Sequence, residues 1–161
     1  MIFLTVGTHP QQFNRLLEKI DGLIGSKKIT ESVVAQIGVS DYKPKNYTAK
    51  SFFDFSEIQK NIKSSSLIIT HAGAGTIITA MSFGKKLIVV PRLKKFGEHT
   101  NDHQLELAHA LEKEGKVIAV YEIENLGAAI SAARRFKPTF NKESPLAKKI
   151  LAHLKSLEAK K

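Results

Sequence analysis

Short apolar runs alternate with helical patterns along most of this chain, and this alternation constrains its fold more than any other feature. Candidate strands occur at residues 2–6, 32–37, 47–53, 67–70, 87–90 and 117–120. Apolar residues recur at helical spacing at about residues 13–20, 56–62, 76–83, 100–114 and 126–135. Strands that alternate with helices and are apolar on both faces are typical of a parallel sheet covered on both sides. We therefore predict an α/β fold, a Rossmann-like doubly wound parallel sheet of about six strands.

Residues at the ends of the helical patterns indicate where the helices begin and end. Gly84 and Gly115 each follow a helical pattern, where glycine favours the left-handed conformation that ends a helix. Ser56 is the predicted N-cap of the short helix that contains Ile58 and Ile62. Thr8 is a candidate cap in the turn after the first strand, which is the structural alternative to a role in ligand binding.

The length of 161 residues allows one domain and little more. We predict that residues 1–136 form that domain, and that residues 137–161 form a linker and a basic amphipathic C-terminal helix at about 144–157. The chain has no cysteine, which excludes a disulfide scaffold, a cysteine zinc site and thiol catalysis. Neither a signal peptide nor an apolar stretch of about 18 residues is found, so we expect a cytoplasmic protein.

The formal net charge of +10 is unevenly distributed. Residues 137–161 hold seven basic and two acidic residues, which is half of the excess. The predicted terminal helix has an apolar stripe that either packs on this domain or docks on a membrane-associated partner, with its lysines toward anionic lipid. No nucleic-acid recognition motif accompanies the charge, and we predict no nucleic-acid binding.

The turn between the strand at 67–70 and the following helix is the strongest functional feature. It contains His71, Gly73, Gly75 and Thr76. Small residues there let a phosphate approach the free N–H groups and the positive end of a helix. The alternative is that both glycines only permit a tight turn and close packing. The segment does not match the P-loop pattern.

Two further loops follow strand ends and are expected at the same edge of the sheet. Gly7 and Thr8 follow the first strand and could contact a second part of a diphosphate. After the strand at 87–90, a basic loop offers candidate anion contacts, and the next helix opens with candidate sugar-binding residues. The anion contacts are Arg92, Lys94 and Lys95, and the sugar-binding residues are Asp102, His103 and Gln104. His99 and His103 have helical metal-ligand spacing but lack a clear third ligand, so we predict no metal site.

Three blocks of sequence carry a resemblance to a known family. They are the segment 69–76 (ITHAGAGT), the segment 84–91 (GKKLIVVP) and the segment 101–108 (NDHQLELA). Together they resemble the C-terminal, nucleotide-sugar-binding domain of family 28 glycosyltransferases, over roughly residues 1–120. In size the chain is similar to the small catalytic subunit of two-component N-acetylglucosamine transferases. The segment 90–99 (VPRLKKFGEH) is most similar to the small subunits of exopolysaccharide and capsule glycosyltransferase pairs.

The resemblance implies the C-terminal half of a GT-B glycosyltransferase and assigns roles to residues. Gly7, Thr8 and the turn at 71–76 would face the donor diphosphate. Phe55 would lie near the uracil, and His103 and Gln104 would contact the donor sugar. The family usually has glutamate at the position of Thr79, where it binds the ribose hydroxyls. Threonine cannot accept two such hydrogen bonds at that reach, so this departure predicts weaker or altered donor binding.

The implied activity is inverting transfer of N-acetylglucosamine or another hexose from a UDP-sugar to a lipid-linked acceptor. The chain is long enough only for the donor half, so a membrane-associated partner would carry the acceptor site and usually the base. His9 is the candidate base within the chain. No cofactor is expected, and the absence of an Asp-x-Asp motif fits metal-independent departure of UDP. The alternative is a non-catalytic accessory subunit that stimulates or stabilises its partner.

Overall fold

The structure, a computed structural model, describes residues 1–139 of the chain. Within them six short strands form one parallel sheet in the order β3-β2-β1-β4-β5-β6. The strands are β1 (Ile2–Thr5), β2 (Val33–Gln36), β3 (Thr48–Lys50), β4 (Leu67–Thr70), β5 (Lys86–Val89) and β6 (Ile118–Ala119). The predicted doubly wound sheet of about six strands is confirmed.

Five α-helices connect and cover these strands. They are α1 (Asn14–Gly25), α2 (Phe55–Ser64), α3 (Ala74–Ser82), α4 (His103–Lys113) and α5 (Leu126–Ala133). No helix among residues 1–139 has the length and apolar character needed to cross a bilayer. The predicted C-terminal helix at 144–157 lies outside the described residues.

Side chains that alternate along the strands build a separate core on each face of the sheet. On β1, Leu4 packs with Leu16 of α1 and Ile130 of α5 on one face. Phe3 points the other way and packs with residues of the remaining helices, namely Ile62, Ile77 and Leu111. These residues are all nearly or fully buried. Helices cover both faces of the sheet, which explains why the sequence has continuous apolar runs at its strands.

The helix ends confirm two of the local predictions and correct two others. Gly84 (φ +64°) and Gly115 (φ +65°) adopt the left-handed conformation just past α3 and α4, as predicted. The N-cap of α2 is Asp54 and not Ser56: its Oδ1 accepts from the backbone N–H of Glu57 at 2.8 Å, and the Glu57 carboxylate accepts from the backbone N–H of Asp54 at 2.9 Å. Thr8 does not cap a helix, because α1 begins only at Asn14.

Candidate functional site

The sheet reverses its winding direction between β1 and β4, which is where ligands bind in open α/β sheets. A cleft of ≈ 510 Å³ opens there at the carboxyl ends of the strands. All seven residues that were predicted to face the donor diphosphate or the uracil line it. The full lining is Thr5, Gly7, Thr8, Gln36, Phe53, Phe55, Ile58, His71, Gly73, Ala74, Gly75, Thr76 and Thr79.

The imidazole of His71 fills the floor of this cleft between two glycines. A Cβ atom on Gly7 would lie 2.4 Å from the His71 ring, and one on Gly73 would lie 2.1 Å from its Nε2 atom. Gly7 also has a φ of +76°, which disfavours any other residue. These two glycines are therefore required for the ring of His71 to sit in the floor.

Burial determines the charge state of His71. The ring is 9% exposed, and burial, followed by the guanidinium of Arg92, lowers the pKa of His71 to about 4. The neighbouring imidazoles of His9 and His99 lower this pKa further, while a backbone hydrogen bond with Thr5 opposes the change. At neutral pH the imidazole is uncharged, so it can act toward a ligand only through hydrogen bonds.

The first turn of α3 forms the wall of the cleft beside His71. Gly73 is the N-cap residue, and Ala74 and Gly75 are exposed. A Cβ atom on Gly75 would meet nothing within 4 Å, so this side of the helix is open. The free N–H groups and the positive end of the helix dipole can therefore meet an anion here. Gly75 thus differs from Gly73, whose lack of a side chain serves the packing of His71.

Thr79 lines the cleft but directs its hydroxyl into its own helix. Its Oγ1 donates to the carbonyl oxygen of Gly75 at 2.9 Å, and the side chain is 8% exposed. The hydroxyl proton is therefore already used within α3. At this position the resemblance implies a glutamate, whereas Thr79 offers a ligand at most a hydroxyl oxygen as an acceptor.

At the β2 and β3 side, the cleft combines a buried amide with aromatic side chains. The amide of Gln36 donates to the carbonyl oxygen of Gly7 at 3.2 Å and accepts from the backbone N–H of Phe53 at 3.0 Å. Phe55 is 51% exposed at the first position of α2. Thr5, Gln36, Phe53, Ile58 and Ala74 were missed by the sequence analysis. A glutamine that ends an apolar strand is the one signal that could have drawn attention to Gln36.

Arg92 has a different role from the predicted anion contact. Its side chain is fully buried and donates to four backbone carbonyl oxygens, at 2.7 Å from Val6, 2.9 Å from Gln11, and 3.0 Å from both Gln12 and Glu98. The guanidinium therefore joins the loop after β1 to the loop after β5. This placement corrects the expectation that Arg92 contacts an anion directly.

The other residues predicted in and after the β5 loop lie at the surface or support the loop, and none of them lines the cleft. Lys94 and Lys95 are exposed in a short 3-10 helix, and the carboxylate of Asp102 accepts from the backbone N–H of Lys94 at 2.9 Å. His103 is exposed at the start of α4, with its Nδ1 atom 3.6 Å from the Glu106 carboxylate. Gln104 is buried, and its carbonyl oxygen accepts from the backbone N–H of Arg92 at 3.0 Å.

His9 stacks on His99, with ring centroids 4.3 Å apart. The Nδ1 atom of His9 accepts from the backbone N–H of Gln11 at 3.3 Å. In the neutral ring the proton is then on Nε2, so this tautomer has no free lone pair to accept a proton. The geometry favours His9 as an Nε2–H donor, and its role as a catalytic base stays a prediction.

The part of the chain that the structure describes contains no group of three acidic, histidine or cysteine side chains that could hold a metal ion. His99 and His103 therefore have no third ligand among these residues. The polar groups that line the cleft are backbone groups, an imidazole, an amide and hydroxyls, and this donor set suits an anion better than a cation.

Comparisons with known proteins find both similar sequences and similar folds. The family model "Glycosyltransferase family 28 C-terminal domain" matches residues 1–158. A human protein, the UDP-N-acetylglucosamine transferase subunit ALG13, is 32% identical over 123 residues, which cover 71% of this chain and 10% of that protein. The chain thus spans about a tenth of the length of this relative.

Solved structures show the same fold at low sequence identity. The glycosyltransferase of kitacinnamycin has a TM-score of 0.63 at 18% identity, over 96% of this chain and 38% of that one. A solution structure of ALG13 has a TM-score of 0.56 at 18% identity, over 86% of this chain and 87% of that one.

Proposed function

Because this chain belongs to the family 28 glycosyltransferase C-terminal domains, we propose that it is the donor-binding subunit of a two-component inverting glycosyltransferase. Its donor is a UDP-sugar that carries N-acetylglucosamine or another hexose. The relative named as a subunit of a UDP-N-acetylglucosamine transferase supports both the nucleotide and the two-component arrangement.

One observation carries the proposal: the cleft at the switch point brings His71 and the open first turn of α3 together. The backbone N–H groups at the start of α3 would bind the donor diphosphate. The nucleoside would extend toward Phe53 and Phe55, where an exposed ring offers a surface for stacking. The sugar would point the other way, toward the start of α4, where His103 and the amide nitrogen of Gln104 are candidates to contact its hydroxyls.

In the reaction, the acceptor hydroxyl oxygen attacks the anomeric carbon as the bond from that carbon to UDP breaks. The bonding electrons leave with the diphosphate, so negative charge develops at the first turn of α3. The helix N-terminus and the N–H of the neutral His71 stabilise this charge without having to reorganise. The proton of the acceptor passes to a base that we assign to a partner subunit, since His9 is a donor in this structure.

The partner subunit would be membrane-associated and would carry the site for a lipid-linked acceptor. This chain would act in the cytoplasm, at the inner face of the membrane. Lys94 and Lys95, exposed in the loop after β5, are available to contact the acceptor's anionic group or the membrane surface.

A second candidate function is that of an accessory subunit which stimulates a catalytic partner. The hydroxyl of Thr79 favours it, because that hydroxyl is bonded to its own helix and cannot replace the ribose contacts of a glutamate. The two functions differ in one measurable property, the binding of UDP by the chain itself.

Isothermal titration with UDP and UDP-N-acetylglucosamine distinguishes them. We expect UDP to bind, and we expect Gly75→Val to weaken binding at least about tenfold, because an isopropyl group would occupy the space before the first turn of α3. Gly22→Val is the matched control, since Gly22 is also helical, exposed and without neighbours within 4 Å of its Cβ position. Absence of UDP binding with and without a partner would favour the accessory function, and equal weakening by both variants would place the diphosphate elsewhere.

A further inference from the structure

The stacked histidines beside the cleft are held so that they present the same chemical group. His9 Nδ1 accepts from the backbone N–H of Gln11, and His99 Nδ1 accepts from the backbone N–H of Asn101, both at 3.3 Å. In each neutral ring the proton is then on Nε2. The rings stack with centroids 4.3 Å apart and an interplanar angle of 27°, and each ring carries one Nε2–H donor.

The pair is preorganised by the buried guanidinium of Arg92. His9 lies in the loop after β1 and His99 in the loop after β5, and Arg92 bonds to carbonyl oxygens on both sides, at Gln11 and Glu98. The two loops therefore keep a fixed distance from each other without a ligand. A site that is formed before binding loses less entropy when its ligand arrives.

The charges beneath the pair do not balance. Glu98 is 1% exposed, and both of its carboxylate oxygens accept from Arg15, at 2.9 and 2.8 Å. The same Glu98 carboxylate also raises the pKa of Arg92, against the effect of burial. Two guanidinium groups, those of Arg15 and Arg92, therefore share one carboxylate, which leaves an excess of one positive charge. The Nε atom of Arg92 is buried and has no hydrogen-bond partner within the described part of the chain. A buried charge that lacks a full counter-charge is unfavourable, and an anion nearby relieves it.

The neighbouring titratable groups add no negative charge at this point. Burial, followed by His99 and Arg92, lowers the pKa of His9, and none of these influences is a carboxylate. Asp102 is directed to the backbone N–H of Lys94, and Lys94 and Lys95 add two exposed cations in the same loop.

We propose that His9 and His99 form an anion site, separate from the diphosphate turn, that binds a carboxylate or phosphate group through the Nε2–H groups of the two stacked rings. The proposal rests on the proposed function, because it places this anion on the β5 side of the donor cleft, opposite the nucleoside. The group is either a carboxylate at C6 of the transferred sugar or a phosphate of the acceptor.

The first experiment compares UDP-glucuronate with UDP-glucose, which differ only at C6. If the anion belongs to the donor sugar, the glucuronate binds about tenfold or more tightly, as expected for charge-assisted hydrogen bonds. His99→Asn keeps an acceptor near the Nδ1 position and loses the Nε2–H, so it removes this preference. His99→Gln places an amide N–H near the Nε2 position and restores part of it.

The second experiment adds methyl phosphate to the protein, with and without UDP, and follows the imidazole ¹⁵N signals. If the anion belongs to the acceptor, the two sugars bind equally well, while methyl phosphate shifts the signals of His9 and His99. The shift is absent in His99→Asn. Because this arm also uses the protein without UDP, it tests the anion site even if the donor does not bind.

The control is His109→Asn. His109 is also exposed and also stacked, on Tyr121 with ring centroids 4.4 Å apart, but it lies on α4 away from the cleft. We expect the His109→Asn variant to match the wild type in its affinities for the two UDP-sugars and in the response of the His9 and His99 signals to methyl phosphate. Equal affinity for the two sugars together with unchanged His9 and His99 signals in methyl phosphate would overturn the anion site. If UDP still binds in that case, the proposed function stands; if the imidazole signals respond but UDP does not bind, only the proposed function fails.

Discussion

Replacing Arg92 by methionine tests whether this guanidinium holds the β1 and β5 loops together. Methionine fills a similar volume and donates no hydrogen bond. The substitution leaves four carbonyl oxygens without their donor. The hydrogen bonds to Val6 and Glu98 are fully buried, so these two oxygens stay unpaired. The hydrogen bonds to Gln11 and Gln12 are only partly buried, so water can replace the donor there.

Each buried carbonyl group that loses its donor lowers the stability of the folded state by about 1–3 kcal/mol. Removal of the excess buried charge offsets part of that loss. We therefore expect the free energy of unfolding to fall by about 2–4 kcal/mol, which is a large part of the stability of a small domain.

Urea unfolding followed by far-UV circular dichroism measures this change, with the loss read from the midpoint at an unchanged m-value. Arg135→Met is the control, because Arg135 is exposed, and it should change stability by less than about 0.5 kcal/mol. A loss below about 1 kcal/mol in Arg92→Met would refute the idea that these four bonds hold the loops in place.

Three further predictions concern the groups around the cleft. His71 has a pKa of about 4 in the folded chain against 6.5 in the unfolded one, so the unfolded state binds the extra proton between these values. Stability should fall by about 3 kcal/mol as the pH drops from 7 to 4, and His71→Asn should flatten this part of a pH series of urea midpoints. Asp54→Ala removes the capping box of α2 and should lower the urea midpoint in the same assay, whereas Ser56→Ala should change the midpoint little because Ser56 is not the cap. Thr79→Glu should tighten UDP binding about tenfold by supplying a carboxylate to the ribose hydroxyls, and calorimetry showing weaker or equal binding would mean that the ribose lies elsewhere.

The fold could be predicted from sequence because its signals are local. Each apolar run such as 67–70 is a strand, and Gly84 and Gly115 end their helices through a backbone conformation that needs no distant partner. The cap of α2 is also a local signal, because Asp54 and Glu57 have the spacing of a capping box.

The site was harder to predict, because its key contacts join residues that are distant in sequence. The glycine turn at 71–76 was recognisable, but nothing local indicates that Gly7 and Gly73 make room for one imidazole ring. Arg92 follows a strand in a basic loop, where a solvated cation is the usual expectation. Its four carbonyl partners lie up to 86 residues away, so its burial follows from the sheet topology and not from its neighbours.

Mapping UDP on the protein by amide chemical shifts tests the central claim most directly. We predict that UDP shifts the amide signals of Gly7, of residues 71–76 and of residues 53–55, which all surround the cleft between β1 and β4. Signals of Gly22 and of the rest of α1 should not move. A response that leaves the amides of Gly75 and Thr76 unchanged while others move would contradict the assignment of the diphosphate to the first turn of α3.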